Sequence, residues 1–171
     1  KNTPKAAYGV RRLPLAAEAG MTYGYYNLPT VSDPVGYYNY NGSNPEKRSL
    51  IWAGSLIYHE LLPGHHFHLA TQNENKILQD YRRKYTSGAF TEGYAEYAAS
   101  LGIEMGMYED PYELYGRYLA EIFLASRLAV DTGLNALGWS LQEARDYMAK
   151  YVVQSKEEIA SETLRYSTSI P

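Results

Sequence analysis

A Pro-Gly step at positions 63 and 64 interrupts a segment that otherwise has the pattern of an amphipathic helix. Apolar residues recur at helical spacing before this step, and Asn44 followed by Pro45 has the form of a helix start. Pro63 cannot donate the helical hydrogen bond to the carbonyl of His59, and Gly64 accepts almost any backbone angle. We therefore expect the helix to kink or bulge at this step.

The chain has different patterns on the two sides of residue 45. Residues 1–45 contain short Tyr-rich runs bounded by Gly, Pro, Asn and Asp, which predicts a small β-sheet with irregular connections. Residues 46–171 have helical periodicity and predict about five α-helices. The fold class is therefore α+β, and we expect residues 1–171 to form a single domain.

Polar caps and stops predict the limits of the later helices. We expect helices over about residues 90–104 and 110–133, the second ending at a glycine stop. Two more helices are expected to start at Ser140 and Ser155. A glutamate follows each of these serines three residues later, which is the spacing of a capping box.

The composition excludes several classes of protein. The 171 residues carry 16 Lys and Arg against 19 Asp and Glu, a net charge of −3 with no dense basic run, so we expect no nucleic-acid partner. No apolar run is long enough for a membrane span. The absence of cysteine excludes disulfides, thiolate ligands and a cysteine nucleophile.

All four histidines lie within residues 59–68, and a glutamate follows the first of them. Imidazole nitrogens bind zinc, and a neighbouring carboxylate can accept a proton from a water that the metal activates. His59 is therefore a candidate ligand and Glu60 a candidate general base. In a straight helix His65 points away from His59, and His66 lies about 10.5 Å further along the axis. The helix break must bring one of these two histidines back towards the metal.

A third metal ligand is expected from the next helix. Glu92 and Glu96 are four residues apart on one helical face, where their like charges repel unless a cation or a protonated histidine lies between them. We expect Glu92 to bind the metal and Glu96 to orient a ligand imidazole. The residues themselves leave open whether His65 or His66 is the second histidine ligand.

The later part of the chain contains further polar candidates. Arg127 and Asp131 have the spacing of a helical salt bridge, and Asp131 is grouped with Glu96 as a candidate to support the ligands. A hydrogen-bond donor is also needed for the oxyanion of a transition state. The candidate donors, among which the sequence does not choose, are Tyr94, Asn135, Arg165 and Tyr166.

The chain resembles a known family over nearly its whole length. The motifs that carry this resemblance are Tyr58-His59-Glu60 with Pro63-Gly64-His65-His66, Glu92-Gly93-Tyr94-Ala95 with Tyr97, Arg127-Leu128 with Val130-Asp131-Thr132-Gly133, Gly138-Trp139, and Arg165-Tyr166 with Pro171. They are similar to the motifs of the bacterial domain-of-unknown-function 885 proteins, which are placed among the gluzincin-type zinc metallopeptidases. The resemblance implies a zincin-like catalytic core.

The same resemblance implies roles for individual residues. It implies that His59, a histidine after the Pro-Gly step and Glu92 bind Zn²⁺, and that Glu60 is the general base. The zinc motif of dipeptidyl peptidase III, His-Glu-Leu-Leu-Gly-His, is stretched in a similar way. Its Gly-His step aligns with residues 64–65, which favours His65 as the second histidine ligand.

This chain departs from the family pattern in two respects. Family members usually have a histidine where this chain has Asn135, and an asparagine can donate a hydrogen bond but cannot supply a proton. The family also has a long helical region before the zinc domain and continues beyond the position of Pro171. We therefore expect this chain to be a catalytic-core fragment of a longer protein.

The sequence thus predicts a zinc-dependent hydrolase that cleaves peptide bonds, with a strand of the N-terminal sheet pairing with an extended peptide. A non-catalytic peptide- or metal-binding module on a degenerate peptidase scaffold is one alternative. A glycosidase that uses Glu60 and Glu92 is another, in which some of the 19 tyrosines stack on sugars. The resemblance favours a periplasmic or secreted location, and nothing in the sequence indicates an oligomeric state.

Overall fold

A computed structural model of the chain describes residues 3–18, 21, 23–30 and 32–168. Thr22, which belongs to a Tyr-rich run predicted to form a strand, and Pro171, in the last family motif, lie outside these residues. The chain divides into two compact units, Lys1–Leu114 and Tyr115–Pro171. The expectation of a single domain stays a prediction.

The first unit begins with a three-stranded sheet, which confirms the α+β class and the small N-terminal sheet. Its strands are β1 (Ala7–Arg12), β2 (Gly24–Asn27) and β3 (Val35–Tyr40), in the order β1-β3-β2. β1 runs parallel to β3, whereas β2 runs antiparallel and places Tyr26 opposite Tyr38. The runs of tyrosine and β-branched residues that predicted strands suit a pleated, half-buried surface. Because β3 lies between the other two strands, β2 is at one edge of this sheet.

Helices follow the sheet and form the rest of the first unit. α1 (Leu15–Glu18) is a single turn after β1, and α2 (Ala53–Glu60), α3 (His65–Glu74), α4 (Asp80–Lys84) and α5 (Gly88–Leu101) follow β3. α5 packs against both α2 and α3. Its buried face consists of small side chains, including Ala95, Ala98 and Ala99, which lets the neighbouring helices approach closely.

The start predicted for the first long helix is wrong. Asn44 has a left-handed backbone (φ 47°) and its side chain makes no capping hydrogen bond, and only a 3₁₀ turn, Pro45–Lys47, follows it. An N-cap residue needs an extended backbone for its side chain to reach the first amides of the helix. α2 begins instead at Ala53. The sequence did not predict α1, α3 or α4.

The second unit contains most of α6 (Pro111–Ala136) together with α7 (Leu141–Tyr151) and α8 (Lys156–Thr168). α7 packs against α8, and Val130, Met148 and Thr163 are fully buried. Both predicted capping boxes are confirmed. The Ser140 amide donates to the Glu143 carboxylate over 2.7 Å while the Glu143 amide donates to Ser140 Oγ over 3.2 Å, and the box that starts at Ser155 has the same two bonds.

The predicted stop at Gly133 is wrong, because α6 continues to Ala136. A Cβ atom on Gly133 would lie 2.3 Å from the ring of Trp139, and the Trp139 amide donates to the Gly133 carbonyl over 2.9 Å. The positive φ that a helix stop uses is found at Gly138 instead (φ 73°). Gly133 therefore makes room for an indole ring and does not end the helix.

A membrane span needs about 20 predominantly apolar residues in one helix, and no helix in the described part of the chain meets this requirement. α6 has sufficient length, with 26 residues. Charged side chains recur along it, however, including Glu113, Arg117, Glu121 and Arg127. The expected absence of a membrane-spanning helix is thus confirmed for the described residues.

Gly133→Ala is expected to lower the free energy of unfolding by about 1–3 kcal/mol, because the added methyl group forces Trp139 out of its position. Urea unfolding followed by tryptophan fluorescence measures this loss. Gly88→Ala is the matched control, since no atom of the described part of the chain lies within 4 Å of a Cβ at Gly88. Equal stability of Gly133→Ala and the unmodified protein would contradict the packing described above.

Candidate metal centre

The break between α2 and α3 brings the candidate residues to the ends of two helices. His59 and Glu60 are the last two residues of α2, and His65 is the first residue of α3. Residues 61–64 between them are not helical. The break predicted from the Pro-Gly step is confirmed. One helix ends before this step and a separate helix begins after it.

Gly64 is required at this break because the chain folds back onto the end of α2. Its amide donates to the Tyr58 carbonyl over 2.9 Å. A Cβ atom on Gly64 would lie 1.8 Å from the carbonyl oxygen of His59, a distance that no side chain can occupy. The Leu62–Pro63 peptide bond just before it is cis. The tight return places the start of α3 beside the end of α2.

Three potential ligand atoms converge at this point. They belong to His59, His65 and Glu92 and lie within 4.8 Å of one another. One Glu92 carboxylate oxygen lies 3.3 Å from His59 Nε2, and the other lies 3.4 Å from His65 Nε2. Two atoms that bind one tetrahedral zinc at about 2.0–2.1 Å are themselves about 3.3 Å apart. The two distances from the histidine nitrogens to Glu92 are therefore close to those between ligands of one zinc ion.

The two histidine rings are set at a right angle, with their centroids 4.7 Å apart. His65 is buried, His59 is largely covered, and the Glu92 side chain is 66% exposed. His65 Nδ1 makes no hydrogen bond within the described part of the chain. Packing against His59 and Tyr26 therefore holds this ring in place. The cluster is open to solvent on the side of α5, where Glu92 lies.

Glu96 lies behind the cluster, at the position that the sequence predicts for it. Its carboxylate accepts a hydrogen bond from His59 Nδ1 over 3.2 Å, one helical turn after Glu92. A carboxylate in this position fixes the orientation of an imidazole ring and makes its other nitrogen a better ligand. His59 thus lies between two carboxylates, one on each ring nitrogen.

This arrangement shifts the pKa of both partners. Burial favours the neutral ring of His59, but the hydrogen bonds to Glu92 and Glu96 outweigh it and raise the pKa of His59 to about 9. Hydrogen bonds from His59 and His65 hold the pKa of Glu92 far below its usual range and outweigh the partial loss of solvent around its carboxylate. The cluster of carboxylates therefore requires a positive charge, which a proton or a metal ion can supply.

Glu60 is close to the cluster but has a different environment. Only 7% of its surface is exposed, and this burial raises the pKa of its carboxyl group above the usual value. The backbone amide of Tyr26 donates a hydrogen bond to the carboxylate, and the charges of His59 and His65 act in the same stabilising direction. The sequence reveals no role for Tyr26, because no spacing rule links a residue of β2 to the end of α2.

His66 is directed towards the sheet. It is fully buried, its Nε2 donates to the Ala6 carbonyl over 3.1 Å, and its Nδ1 accepts from the Tyr26 hydroxyl over 2.7 Å. Burial lowers the pKa of His66, which keeps the ring neutral and suits this pair of bonds. Since both ring nitrogens are engaged, the geometry favours His65 over His66 as a ligand.

The fourth histidine and Tyr94 pack against each other between α3 and α5. The His68 ring lies 4.8 Å from the Tyr94 ring and 5.3 Å from the Phe90 ring. Burial raises the pKa of Tyr94, so its hydroxyl keeps its proton near neutral pH. Its role as a donor to an oxyanion stays a prediction.

Two other predicted donors, Arg165 and Tyr166, lie in α8 and share one acceptor. Tyr166 is buried and its hydroxyl donates to the Glu162 carboxylate over 2.5 Å, while Arg165 donates to the same carboxylate oxygen over 2.9 Å. Burial raises the pKa of Tyr166 well above its usual value. Within the second unit, Glu162 therefore holds both candidate donors.

The remaining predicted residues also contact one another in the second unit. Asn135 donates to the Asp131 carboxylate over 2.9 Å and to the Tyr166 carbonyl over 3.3 Å. The predicted salt bridge between Arg127 and Asp131 is wrong, since no ion pair joins them in the described part of the chain. The Arg127 guanidinium lies over the rings of Phe123 and Tyr166 instead, at 5.5 and 5.3 Å from their centroids.

Comparison with known proteins identifies the family. The family described as "Bacterial protein of unknown function (DUF885)" matches residues 1–171, so the chain belongs to it. A Colwellia psychrerythraea protein of known structure, described as a "putative lipoprotein", matches 96% of this chain with 34% identity and a TM-score of 0.90. This chain spans 28% of the length of that protein. No curated protein matches the chain.

Zinc binding to this cluster is expected to strengthen as the pH rises towards about 9. His59 must lose its proton to bind a metal, and in the folded protein it holds that proton up to its raised pKa of about 9. The apparent affinity should rise about tenfold per pH unit for each displaced proton. Calorimetry at pH 7 in buffers of different ionisation enthalpy should show release of about one proton.

The control for this experiment is Glu96→Gln, which removes one of the two carboxylates that raise the pKa of His59. Less proton release is expected from this variant. Zinc binding by the unmodified protein with no proton release at pH 7 would contradict the assignment of His59 as a ligand.

Proposed function

We propose that this chain is the catalytic core of a zinc-dependent peptide hydrolase of the gluzincin type, with a zincin-like fold. The observation that carries the proposal is the convergence of His59, His65 and Glu92, whose ligand atoms lie within 4.8 Å of one another. Glu60, a buried carboxyl group with a raised pKa, lies next to this convergence. Together they supply the ligand set and the general base that hydrolysis by this class of enzyme needs.

Zinc fits the donor set better than calcium or magnesium. Two imidazole nitrogens and one carboxylate are ligands that zinc prefers, whereas the other two ions take oxygen ligands almost exclusively. Bound by His59, His65 and Glu92, zinc would act as a Lewis acid that polarises the scissile carbonyl and lowers the pKa of water. Glu96 orients the His59 ring through the 3.2 Å hydrogen bond on its other nitrogen.

Glu60 is proposed to move the proton. It accepts a proton from the attacking water and donates it to the leaving amine, as a general base and then a general acid. Burial raises its pKa towards neutrality, which makes it a better proton acceptor than an exposed glutamate. The Tyr26 amide holds the carboxylate in position, and the bond from the Tyr26 hydroxyl to His66 anchors this part of β2 to α3.

The position of β2 supports a peptide as the substrate. β2 is an edge strand of the sheet, and its residue Tyr26 contacts Glu60 through the backbone. Edge strands bind extended peptides by adding a strand to the sheet. An extended substrate paired with β2 would therefore pass close to the proposed base.

The oxyanion and the location of the protein complete the proposal. The donor to the oxyanion is expected among Tyr94, Asn135, Arg165 and Tyr166, and Asp131 supports Asn135 through their 2.9 Å hydrogen bond. The description of the Colwellia protein as a lipoprotein favours a periplasmic or secreted location for this chain.

The glycosidase alternative requires Glu60 and Glu92 to work as an acid and a nucleophile. Both oxygens of Glu92 face histidine nitrogens, at 3.3 and 3.4 Å, which is the environment of a ligand. The non-catalytic binding module keeps the same metal centre and differs from the enzyme only in turnover. Cleavage of a mixed peptide library, abolished by a chelator and restored by zinc, distinguishes both alternatives from the peptidase.

Glu60→Gln is expected to lower the rate of peptide hydrolysis by about 10²–10⁴-fold while zinc remains bound, because Gln cannot accept the proton. Metal analysis and a fluorogenic peptide assay measure the two properties on the same preparation. Glu104→Gln, at an exposed position after α5, serves as the control with full activity. Full activity of Glu60→Gln would remove Glu60 from the mechanism.

The two adjacent histidines are expected to respond differently to substitution. His65→Asn should weaken zinc binding by more than about 100-fold, because losing a metal ligand lowers zinc affinity more than losing a group that supports a ligand. His66→Asn should keep zinc affinity within about tenfold of the unmodified protein and lower its thermal stability, because it loses the bonds to Ala6 and Tyr26. Competition with a chromogenic chelator measures the affinities. The reverse pattern would make His66 the ligand.

A further inference from the structure

α5 contains a glycine, Gly93, for which the fold supplies no internal reason. Among the described residues, no atom lies within 4 Å of a Cβ atom placed there, in contrast to Gly64 and Gly133, where a Cβ would overlap neighbouring atoms. Gly93 is exposed in the middle of the helix, where glycine is less favourable than almost any other residue. The free space beside Gly93 is therefore available to a molecule that is not part of the chain.

The position of Gly93 on the helix connects this space to the metal centre. At about 100° per residue, Gly93 lies about 60° around α5 from Glu96 and about 40° from Tyr97. Glu92 and Glu96 face the histidine cluster on one side of Gly93. The side chain of Glu92 is itself 66% exposed. The open face of α5 at Gly93 is therefore adjacent to the exposed side chain of Glu92, on the open side of the cluster.

Two exposed aromatic side chains border the same space. Phe90 is 62% exposed and Tyr97 is 59% exposed. They lie about 10.5 Å apart along the helix axis, with Gly93 between them. The Phe90 ring packs against the rings of His68 and Tyr94, with centroids 5.3 and 6.4 Å away, so its position is fixed. We call the space bounded by Phe90, Gly93 and Tyr97 the Gly93 notch.

We infer that the Gly93 notch receives an apolar side chain of the peptide residue next to the scissile bond. Its walls are aromatic and its floor has no side chain, which suits an uncharged aliphatic or aromatic group. The carboxylates of Glu92 and Glu96 at its edge disfavour an acidic side chain. This inference rests on the proposed function, because a peptide held at the metal centre is what brings such a side chain to the notch.

The test compares Gly93→Gln with the matched control Gly88→Gln, which changes another glycine of α5 whose Cβ position is also open. Three probes are titrated into the zinc-loaded proteins by calorimetry. Acetohydroxamate contacts only the metal, whereas the hydroxamates of N-acetyl-leucine and N-acetyl-aspartate add an apolar or an acidic side chain. Thermal unfolding and zinc content are measured on the same samples.

The unmodified protein is expected to bind the leucine probe about tenfold more tightly than acetohydroxamate, because the notch buries its side chain. Gly93→Gln should lose this preference and keep its affinity for acetohydroxamate. Its zinc content should be unchanged and its melting temperature at or above that of the unmodified protein, since Gln is the better helix former. Gly88→Gln should keep the tenfold preference.

Three outcomes would overturn the inference. A leucine preference retained in Gly93→Gln, or an aspartate probe that binds as tightly as the leucine probe, overturns the notch while leaving the zinc site intact. The same conclusion follows if the unmodified protein binds acetohydroxamate in a zinc-dependent way but binds the leucine probe no more tightly. Absence of zinc-dependent acetohydroxamate binding overturns the proposed function, and the inference with it.

Discussion

The contact between Gly64 and the end of α2 is the constraint on which the candidate site depends. The chain returns so closely that a Cβ atom on Gly64 would lie 1.8 Å from the His59 carbonyl oxygen. A continuous helix would separate His59 from the later histidines along its axis or direct them to different faces. The break removes that geometric conflict, because α2 ends at the first histidine and α3 starts at the second. This proximity brings His59 and His65 together beside Glu92 of α5.

Charge balance is the second feature that organises the site. Glu92 and Glu96 come from one face of α5, and His59 lies between them with a hydrogen bond to each carboxylate. The raised pKa of His59 and the lowered pKa of Glu92 are two expressions of the same attraction. The protein thus builds a site whose unligated form holds a proton where the proposed function places a metal. Folding and metal binding draw on the same interactions.

The adjacent histidines 65 and 66 have different surroundings because consecutive residues of a helix point about 100° apart. His65 faces His59 and Glu92, whereas His66 faces the sheet and bonds to Ala6 and to the Tyr26 hydroxyl. The backbone of the same tyrosine donates to Glu60. The sheet therefore belongs to the site as much as the helices do, since it holds the carboxyl group that the proposed mechanism uses.

The sequence by itself determined the features that depend on near neighbours along the chain. The Pro-Gly break, the capping boxes at Ser140 and Ser155, the Tyr-rich strands and the choice of His59 and Glu92 as candidate ligands all follow from residue types at short spacings. The local signal at Gly133 led to a wrong prediction. In the sequence, a glycine that ends a helix cannot be distinguished from a glycine that makes room for an indole ring.

Only the tertiary structure decided the contacts between distant segments. Tyr26 is 40 residues from His66 and Ala6 is 60 residues from it, and these bonds direct His66 away from the cluster. The link from Tyr26 to Glu60 is of the same kind. Propensity and periodicity describe the energies of one segment at a time, whereas these choices depend on which surfaces of different segments meet when the core forms.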